Sequence, residues 1–530
     1  MRERRRYPIG IQTFSEIIRG GYVYVDKTDL VWQLQDHAKY IFLSRPRRFG
    51  KSLLTSTLES FFHGEKEFFQ GLKIMKLEKN WEQYPVIHLD LSSAKGQASV
   101  AELQSTLMWL LQPLADIYGK KNNETSPGKL LAGIITRANK QTGKQVIVLI
   151  DEYDSPLLDM LQKTDVLEGM RNVMQEFYIP LKSNERLIRF CFITGITKFS
   201  QLSIFSTINN LKNVSMNPRF AAICGITEQE VKSVFAEEIE DMSVHYECTK
   251  EEMYLKIKEM YDGYHFTADM EDIYNPYSLI NAFSDNKLTS EWFSSGTPSF
   301  LITQLKRFKT DITSLERLEV MSTAFDQPTE SMEDALPLLY QTGYLTIKDY
   351  DKKTDIYTLS FPNKEVKTGY IRGLIPTYLG LNLRETQGFT IRFWRALNKE
   401  DINLALCEMQ AYLAGLPYVE GFKKKLEDVS KAEGFYEYTF YLLFSSLNDL
   451  VRTQVKSSQG RTDLVVYMPN TIYVIELKVN GNAQKALDQI NSKGYAIPYQ
   501  TDGRRVVKVG ISFNIKTRTI DKWVIEKPQE

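Results

Sequence analysis

The feature that most constrains the fold of this 530-residue chain is a short segment that ends in Gly50-Lys51-Ser52. Residues 39–43 before it are mostly apolar and predict a buried strand, and residues 53–62 after it place apolar side chains at helical spacing. A strand, a tight turn and a helix in this order cradle nucleotide phosphates, because backbone N–H groups at a helix N-terminus favour anions. In such a cradle the Lys reaches the outer phosphates and the Ser hydroxyl ligates Mg²⁺.

Arg45 departs from the usual phosphate-loop pattern, which has a glycine at this position. The tripeptide alone is equally compatible with a basic turn that a serine caps. If the segment binds a nucleotide, the residues of the loop and of the start of the helix are the ones that contact the nucleotide. They are Arg47, Arg48, Phe49, Gly50, Lys51, Ser52 and Leu53, with Ser52 also a metal ligand.

A second segment, residues 145–154, favours the nucleotide site. Its apolar residues 146–150 predict a strand buried on both faces of a parallel sheet. The strand ends in Asp151 and Glu152, and ligands gather at the carboxyl ends of such strands. Asp151 is expected to hold Mg²⁺ through water and Glu152 to polarise the attacking water. A surface loop is the alternative, and the upstream Gly-Lys-Ser makes it the weaker one.

Residues 84–91 and 188–193 are also apolar and predict two more buried strands. Thr194 follows the second of them and is a candidate to sense the γ-phosphate of a nucleotide. A helix cap or turn residue is an equally good interpretation of Thr194. From Thr227 onward the pattern becomes helical and charged, which predicts a lid of small helices.

The overall composition excludes several classes of protein. Lys and Arg number 66 and Asp and Glu also number 66, so no net charge draws the whole chain to a nucleic acid or a membrane. The four cysteines are scattered without metal-ligand spacing, which predicts a protein that resides in the reducing cytoplasm. No apolar run approaches the ~20 residues of a membrane helix. The basic residues 2–6 are followed by no apolar segment, which argues against a signal peptide.

The C-terminal region predicts a second site, on a β-hairpin. Pro469-Asn470 is turn chemistry between two β-rich runs. If the turn centres on this pair, Asp463 faces Glu476 with β-carbons about 5 Å apart, and Lys478 points to the same face. Opposed carboxylates destabilise a hairpin unless something neutralises them, and a divalent cation is the simplest candidate. Lys478 would then orient or deprotonate the attacking water. A structural hairpin with a surface Glu–Lys pair is the alternative.

With residues 45–52 and 149–154 and the Asp463 and Glu476-x-Lys478 pattern, the chain resembles a known family, the bacterial AAA-ATPase-like proteins that carry a C-terminal PD-(D/E)XK nuclease domain. The resemblance covers nearly the whole chain, and Arg45 is shared with the family. The matching segments are residues 24–28, 45–52, 149–154, 205–206 with 209–211, 261–264, 274–277 and 361–363.

The resemblance implies ATP and Mg²⁺ as cofactors and a nuclease signature made of Asp463 and Glu476-x-Lys478. It adds Glu433 as a metal ligand, with Gln489 and Tyr495 close to the signature in sequence. Gln454 stands where relatives often have an acidic residue, so the metal site is one ligand short by this comparison.

The predicted fold class is α/β, a P-loop parallel sheet with a helical lid and a winged-helix-like module, followed by a smaller restriction-endonuclease-like α/β domain. The module either touches nucleic acid or packs against the ATPase. The predicted divisions are residues 1–225 for the N-terminal segment and ATPase core, 226–300 for the lid, 301–375 for the module, 376–425 for a helical connector and 426–530 for the nuclease-like domain.

Two functions follow from these features. The first is an ATP-gated nuclease, with DNA favoured over RNA by family resemblance alone. The second is a nucleotide-switched regulatory or defence protein whose C-terminal domain binds nucleic acid without cutting it, and Gln454 keeps this alternative open. The sequence leaves a homo-oligomer possible.

Overall fold

The computed structural model divides the chain into two compact units. The first comprises Met1–Thr310 with Leu315–Val366, and the second comprises Asp311–Ser314 with Lys367–Glu530. The structure describes residues 5–158, 160, 164–198, 210–292, 303–305, 307–308, 310, 315, 317–327, 332–379, 383–415, 439–445, 451–457 and 460–527.

A five-stranded parallel sheet forms the centre of the first unit. The sequence predicts a parallel sheet and four of these strands, but not the two-residue strand β5. Its strands are β1 (Tyr40–Ser44), β2 (Val86–Asp90), β3 (Val146–Asp151), β4 (Ile188–Gly195) and β5 (Lys212–Asn213). They lie in the order β2-β3-β4-β1-β5, and all neighbours run parallel. Every residue of β1 and β3 is buried, because helices cover both faces of such a sheet. Strand β4 therefore separates the phosphate-loop strand from the strand that ends in the carboxylates.

The α-helices that the structure describes around this sheet number seven. They are α1 (Phe14–Arg19), α2 (Thr28–His37), α3 (Lys51–Phe62), α4 (Val100–Tyr118), α5 (Pro127–Thr142), α6 (Ser155–Leu158) and α7 (Thr164–Ser183). Ser99 caps α4 by accepting a hydrogen bond from the Glu102 N–H, and Ser126 caps α5 in the same way. Leu107, Leu131 and Met174 from three of these helices are fully buried in one core with the sheet.

Short helices follow the sheet, in the region predicted to be a lid. They are α8 (Glu228–Val234), α9 (Ala236–His245), α10 (Lys250–Tyr261) and α11 (Pro276–Asp285), with the two-stranded pair β6 (Ile226–Thr227) and β7 (Ile273–Tyr274). Thr227 and Thr249 each open a helix with a capping box. Phe235 stacks on Phe283 at 4.8 Å between ring centroids and closes a separate small core.

The predicted winged-helix-like region contains one strand more than the sequence indicates. Its elements are β8 (Leu318–Val320), α12 (Ser322–Phe325), α13 (Leu336–Gln341), β9 (Thr346–Asp351) and β10 (Ile356–Ser360). The strands form an antiparallel sheet in the order β8-β10-β9. Strand β8 has only three residues, too few for an alternation that a sequence would show. We refer to residues 318–327 and 332–360 as the β8–β10 module.

The described part of the second unit combines α-helices with a mixed five-stranded sheet. Its elements are α14 (Lys364–Leu379), α15 (Leu383–Asn398), α16 (Ile402–Ala414), β11 (Val451–Ser457), β12 (Gly460–Tyr467), β13 (Thr471–Val479), α17 (Ala483–Ser492), β14 (Arg505–Asn514) and β15 (Thr519–Glu526). The sheet order is β11-β12-β13-β14-β15, and only β13 and β14 run parallel. Helix α17 is the crossover between these two strands.

Glu400 ties the helices of the second unit to its sheet. The carboxylate accepts hydrogen bonds from the Asn470 N–H at 2.8 Å and from the Thr471 hydroxyl at 2.6 Å. The predicted helical connector, residues 376–425, thus falls in one compact unit with the C-terminal sheet.

Two expectations from the composition concern thiols and membranes. Cys191, Cys224, Cys248 and Cys407 are free thiols. Among the residues that the structure describes, every helix is too short or too polar to cross a lipid bilayer.

Candidate nucleotide and metal sites

The predicted phosphate loop connects β1 to the N-terminus of α3. Gly50 closes the loop with a left-handed φ of +87°, a conformation that glycine adopts without strain, and Lys51 is the first residue of the helix. Arg48 is also left-handed, with φ of +69°. This path leaves the first N–H groups of a 12-residue helix without intrahelical acceptors, which is the local requirement for binding a phosphate.

The Lys51 ammonium lies inside the loop. Lys51 is 6% exposed, and its Nζ donates to the carbonyls of Arg45 at 3.1 Å and Pro46 at 3.0 Å. Burial lowers the pKa of Lys51, while the nearby carboxylates of Asp151, Glu152 and Asp154 oppose that shift. A buried cation at this position is suited to an anionic ligand, because its charge is poorly solvated by water.

Asp151 and Ser52 come together as the sequence predicts for an Mg²⁺ site. Asp151 ends β3 at 3% exposure, and burial raises its pKa while a hydrogen bond with the Ser52 side chain and the charge of Lys51 lower it. A carboxylate and a hydroxyl in mutual contact at the carboxyl edge of the sheet are the oxygen donors that Mg²⁺ takes. These two residues therefore fit the metal.

Glu152 follows with a left-handed φ of +49°. Its N–H donates to Asp151 Oδ1 at 2.9 Å, and its Oε2 accepts from the Ser155 hydroxyl at 2.7 Å. A non-glycine residue in this region costs of order 1 kcal/mol, and such strain concentrates at functional sites. The geometry places Glu152 beside the predicted metal ligand, where a water-polarising carboxylate is needed.

Thr194 lies next to the last residue of β4, and its hydroxyl is engaged in a contact between two strands. The side chain is fully buried, and Oγ1 donates to the Leu43 carbonyl on the neighbouring strand β1 at 2.8 Å. This contact favours the structural interpretation of Thr194, and the γ-phosphate-sensing role stays a prediction without support from the geometry.

Asp154 belongs to the site but was not singled out from the sequence. It is fully buried, and Oδ2 accepts from both the N–H and the hydroxyl of Thr197 at 2.7 Å. These bonds fix the segment after β4 to the segment after β3. The only signal was its acidic character two residues after Glu152, which does not distinguish a buried anchor from a loop residue.

Arg45 fills the position of the missing glycine with a buried structural cation. Its guanidinium carbon lies 4.1 Å from the centroid of the Phe266 ring, and burial lowers its pKa to about 10. The guanidinium donates to four backbone carbonyls, those of Ser44 (3.0 Å), Ser215 (2.7 Å), Phe220 (3.1 Å) and Ala221 (3.4 Å). Arg45 thus pins the phosphate loop to residues 215–221.

Restoring the usual glycine with Arg45→Gly should destabilise the first unit by roughly 3–5 kcal/mol, because it opens a cavity and strips buried carbonyls of their donors. Thermal unfolding of the full chain measures this change. Arg47→Gly is the matched control, since Arg47 is exposed on the same loop. Equal melting temperatures for wild type and Arg45→Gly would show that the guanidinium does not hold the loop.

The side chains of Arg48 and Phe49 pack against other segments of the first unit. The Arg48 guanidinium lies 3.6 Å from the centroid of the Tyr277 ring and donates to the Glu291 carbonyl at 3.1 Å. Phe49 is fully buried, with its ring centroid 4.8 Å from that of Tyr264. At these two positions only the backbone N–H groups remain available to bind a phosphate.

An apolar cavity of about 90 Å³ adjoins the phosphate loop. Gly50 and Leu53 line it on the loop side. The other walls come from the N-terminal segment and from the region around α8 and α11, and include Val23, Val25, Ile223, Ile226 and Ile280. Apolar walls beside a phosphate loop are suited to contact an apolar part of a ligand whose phosphates lie on the loop.

The C-terminal hairpin has the predicted register. Leu464 pairs with Ile475 and Val466 with Tyr473, so the same register places Asp463 opposite Glu476. The turn closes with a hydrogen bond from the Met468 N–H to the Thr471 carbonyl at 2.7 Å. Turn chemistry alone was enough to predict this pairing.

The Glu476 carboxylate is buried in a manner that suits a metal. Glu476 is 2% exposed, and burial together with the charge of Asp463 raises its pKa to about 7. Its Oε2 is buried and has no hydrogen-bond partner among the described residues. Asp463 Oδ2 accepts from the Leu477 N–H at 2.8 Å. A buried oxygen without a donor beside a second carboxylate fits a divalent cation.

Lys478 and Gln489 hold the other oxygen of Glu476. Lys478 Nζ is 3.2 Å from Glu476 Oε1, and the Gln489 amide from α17 donates to the same atom. The Gln489 amide also donates to the Tyr495 hydroxyl at 3.5 Å. This arrangement turns Oε1 towards the protein and leaves Oε2 for a ligand. The predicted ligand Glu433 and the side chain of Gln454 lie outside the described residues.

Comparison with known proteins agrees with this two-part chemistry. Residues 8–205 match a family model described as a predicted AAA-ATPase, and residues 431–523 match one described as the PD-(D/E)XK nuclease superfamily. An uncharacterized protein in the vnfD 5′ region of Azotobacter chroococcum mcd 1 is 32% identical over 541 residues, which cover 99% of each chain.

Proposed function

This chain belongs to the family of predicted AAA-ATPases that carry a C-terminal PD-(D/E)XK nuclease domain, and we propose that it cuts DNA under the control of ATP. The observation that carries the proposal is the Asp463–Glu476 pair. The buried Oε2 of Glu476 has no hydrogen-bond donor among the described residues and is therefore available to bind a cation. The ATPase part rests on the contact between Ser52 and Asp151 beside the Lys51 ammonium.

In the ATPase, the base of the nucleotide occupies the apolar cavity and the phosphates follow the loop from Arg45 to Ser52. The α3 N–H groups and the Lys51 ammonium bind phosphate oxygens, which stabilises charge that builds up during phosphoryl transfer. Ser52 and Asp151 would hold Mg²⁺, which neutralises phosphate charge when bound. Glu152 orients the attacking water and accepts its proton once its carboxylate leaves the Ser155 hydroxyl.

Glu152→Gln should keep ATP affinity within about threefold and slow hydrolysis by about 10²–10⁴-fold, since the amide cannot accept the proton. Equilibrium nucleotide binding and phosphate release under single-turnover conditions separate the two effects. Glu67→Gln, at an exposed glutamate in the same unit, is the control. Hydrolysis by Glu152→Gln at the wild-type rate would make Glu152 a loop residue only.

In the nuclease part, Asp463 and Glu476 would hold a divalent metal, which polarises a phosphodiester and lowers the pKa of water when bound. The Lys478 ammonium, 32% exposed on the same face, orients the attacking water. Gln489 is a positioning residue, because it reaches the site only through Glu476.

A cleavage assay with the purified full chain tests the proposal. Single- and double-stranded DNA and RNA are incubated with and without ATP and Mg²⁺, and Glu476→Gln serves as the inactive control. We expect DNA cleavage that needs Mg²⁺ and is increased by ATP. Metal-independent binding without cleavage of any nucleic acid would instead support the regulatory or defence function, and preferential cleavage of RNA would correct the substrate.

A further inference from the structure

We propose that Lys198 is a positioning residue through which the β8–β10 module reads the nucleotide state of the ATPase site. The proposal rests on the ATP binding and hydrolysis proposed above. It goes beyond them by identifying a part of the first unit whose arrangement depends on which nucleotide is bound.

Lys198 lies three residues after β4, the strand between the phosphate-loop strand and the carboxylate strand. It is 8% exposed. Its ammonium forms an ion pair with Asp326 just after α12, and its N–H donates to the Gln341 side-chain oxygen at 2.7 Å. The Gln341 amide in turn donates to the Gln327 carbonyl at 2.7 Å. One residue from the central sheet therefore holds two segments of the module.

On the other side, Lys198 is bonded to the catalytic carboxylate segment through its neighbour in the chain. Asp154 accepts two hydrogen bonds from Thr197, and the Tyr153 hydroxyl donates to the Thr197 carbonyl at 2.8 Å. Tyr153 directly follows Glu152. A shift of the segment that carries Asp151 and Glu152 is thereby passed to Thr197 and to Lys198.

A second contact joins the module to the phosphate loop itself. Gly343 has a left-handed φ of +88°, and a Cβ at this position would lie 2.7 Å from the Cβ of Pro46. The Pro46 carbonyl accepts one of the two hydrogen bonds of the Lys51 ammonium. When Lys51 turns towards a bound triphosphate, this hydrogen bond must change, and the module lies directly against the residue that loses it.

The electrostatics make the ion pair sensitive to phosphate charge. Burial lowers the pKa of Lys198 and the Asp326 charge opposes that shift, while the positive charge of Arg45 lowers the pKa further. An anionic triphosphate beside Arg45 and Lys51 compensates this positive charge. Because well-packed contacts switch between discrete arrangements, a small change at such a contact biases the module between two positions.

Coupling of this kind is reciprocal, so nucleotide must alter the module and the module must alter nucleotide binding. The test is hydrogen exchange of residues 336–351 in the full chain, without nucleotide, with ADP, and with ATP in the Glu152→Gln background. We expect protection in this segment to differ at least threefold between ADP and ATP. Asp326→Asn and Lys198→Met should abolish this difference.

Asp349→Asn is the matched control, because Asp349 is an exposed aspartate on β9 of the same module. It should leave the ADP–ATP difference intact. If Asp326→Asn raises exchange equally in all nucleotide states and preserves the difference, the ion pair is merely structural and the inference is wrong. If ATP binds but hydrogen exchange is the same in every nucleotide state, the inference is wrong and the proposed ATPase stands. If ATP does not bind at all, the proposed ATPase is wrong as well.

Discussion

Lys51→Ala should weaken ATP binding at least a hundredfold, the largest effect on nucleotide affinity that we expect from a single substitution in the first unit. One unit charge about 4 Å from a phosphate contributes about 4 kcal/mol at an effective dielectric constant of 20, which corresponds to nearly a thousandfold in affinity. The loss is larger than that of a surface lysine because Lys51 is buried and water cannot replace its charge.

The carboxylates around Lys51 add to this effect. Asp151, Glu152 and Asp154 all interact with its ammonium. Without the ammonium they present uncompensated negative charge to an incoming triphosphate, so the site changes from attractive to repulsive. Lys51→Met, which keeps the length of the side chain, should lose affinity to the same degree, since it removes the charge and little volume.

Titration with a fluorescent ATP analogue measures the affinity, and thermal unfolding verifies that the variants are folded. Lys66→Ala, at an exposed lysine after α3, is the control and should bind like wild type. If a folded Lys51→Ala protein bound ATP with wild-type affinity, the nucleotide would not bind at this loop.

Local patterns were sufficient to predict four strands of the central sheet, the helix after the phosphate loop and the register of the C-terminal hairpin, but not the three-residue strand β8. The side-chain alternation of strands has a period of two, so one turn of known centre fixes every opposed pair. Asp463 and Glu476 could thus be matched from Pro469-Asn470 alone, and the ladder has the predicted register.

The residues whose roles the sequence missed or left open depend on contacts with segments far away in the chain. The Arg45 guanidinium donates to carbonyls about 170 residues downstream, from Ser215 to Ala221. Asp154 has its partner in Thr197, and Thr194 donates to Leu43 on another strand. No periodicity encodes such contacts, because tertiary packing decides which way each of these side chains turns.

The second large effect concerns the metal response of the hairpin. A divalent cation that binds only the native state should raise the unfolding temperature of wild type, because binding to the folded form stabilises it. Asp463→Asn should remove most of this response. Lys478→Ala should keep the response and lose about 10²–10⁴-fold in cleavage, since it removes a group that acts on water and not a ligand.

The pH dependence follows from Glu476. Its pKa rises to about 7 in the folded protein because it is buried and faces Asp463. A carboxyl with a raised folded pKa stabilises the protein below its unfolded pKa, and this contribution is lost as the pH rises through about 7. The metal-free protein should therefore melt at a lower temperature at pH 8 than at pH 6, and Mg²⁺ or Mn²⁺ should restore more stability at pH 8.

The full chain is the right material for this measurement, because Glu400 and Asn470 connect the helices before residue 415 to the hairpin and a shorter C-terminal fragment would lack that contact. Melting curves are recorded at both pH values with increasing Mg²⁺ or Mn²⁺ for wild type, Asp463→Asn and the control Asp488→Asn. Asp488 is exposed on α17 and should leave the metal response unchanged. Without metal, Asp463→Asn should melt above wild type, most of all at pH 8, because it removes the like charge that opposes ionisation of Glu476. If wild type and Asp463→Asn melt alike with and without metal at pH 8, the two carboxylates do not share a cation and the nuclease proposal loses its physical basis.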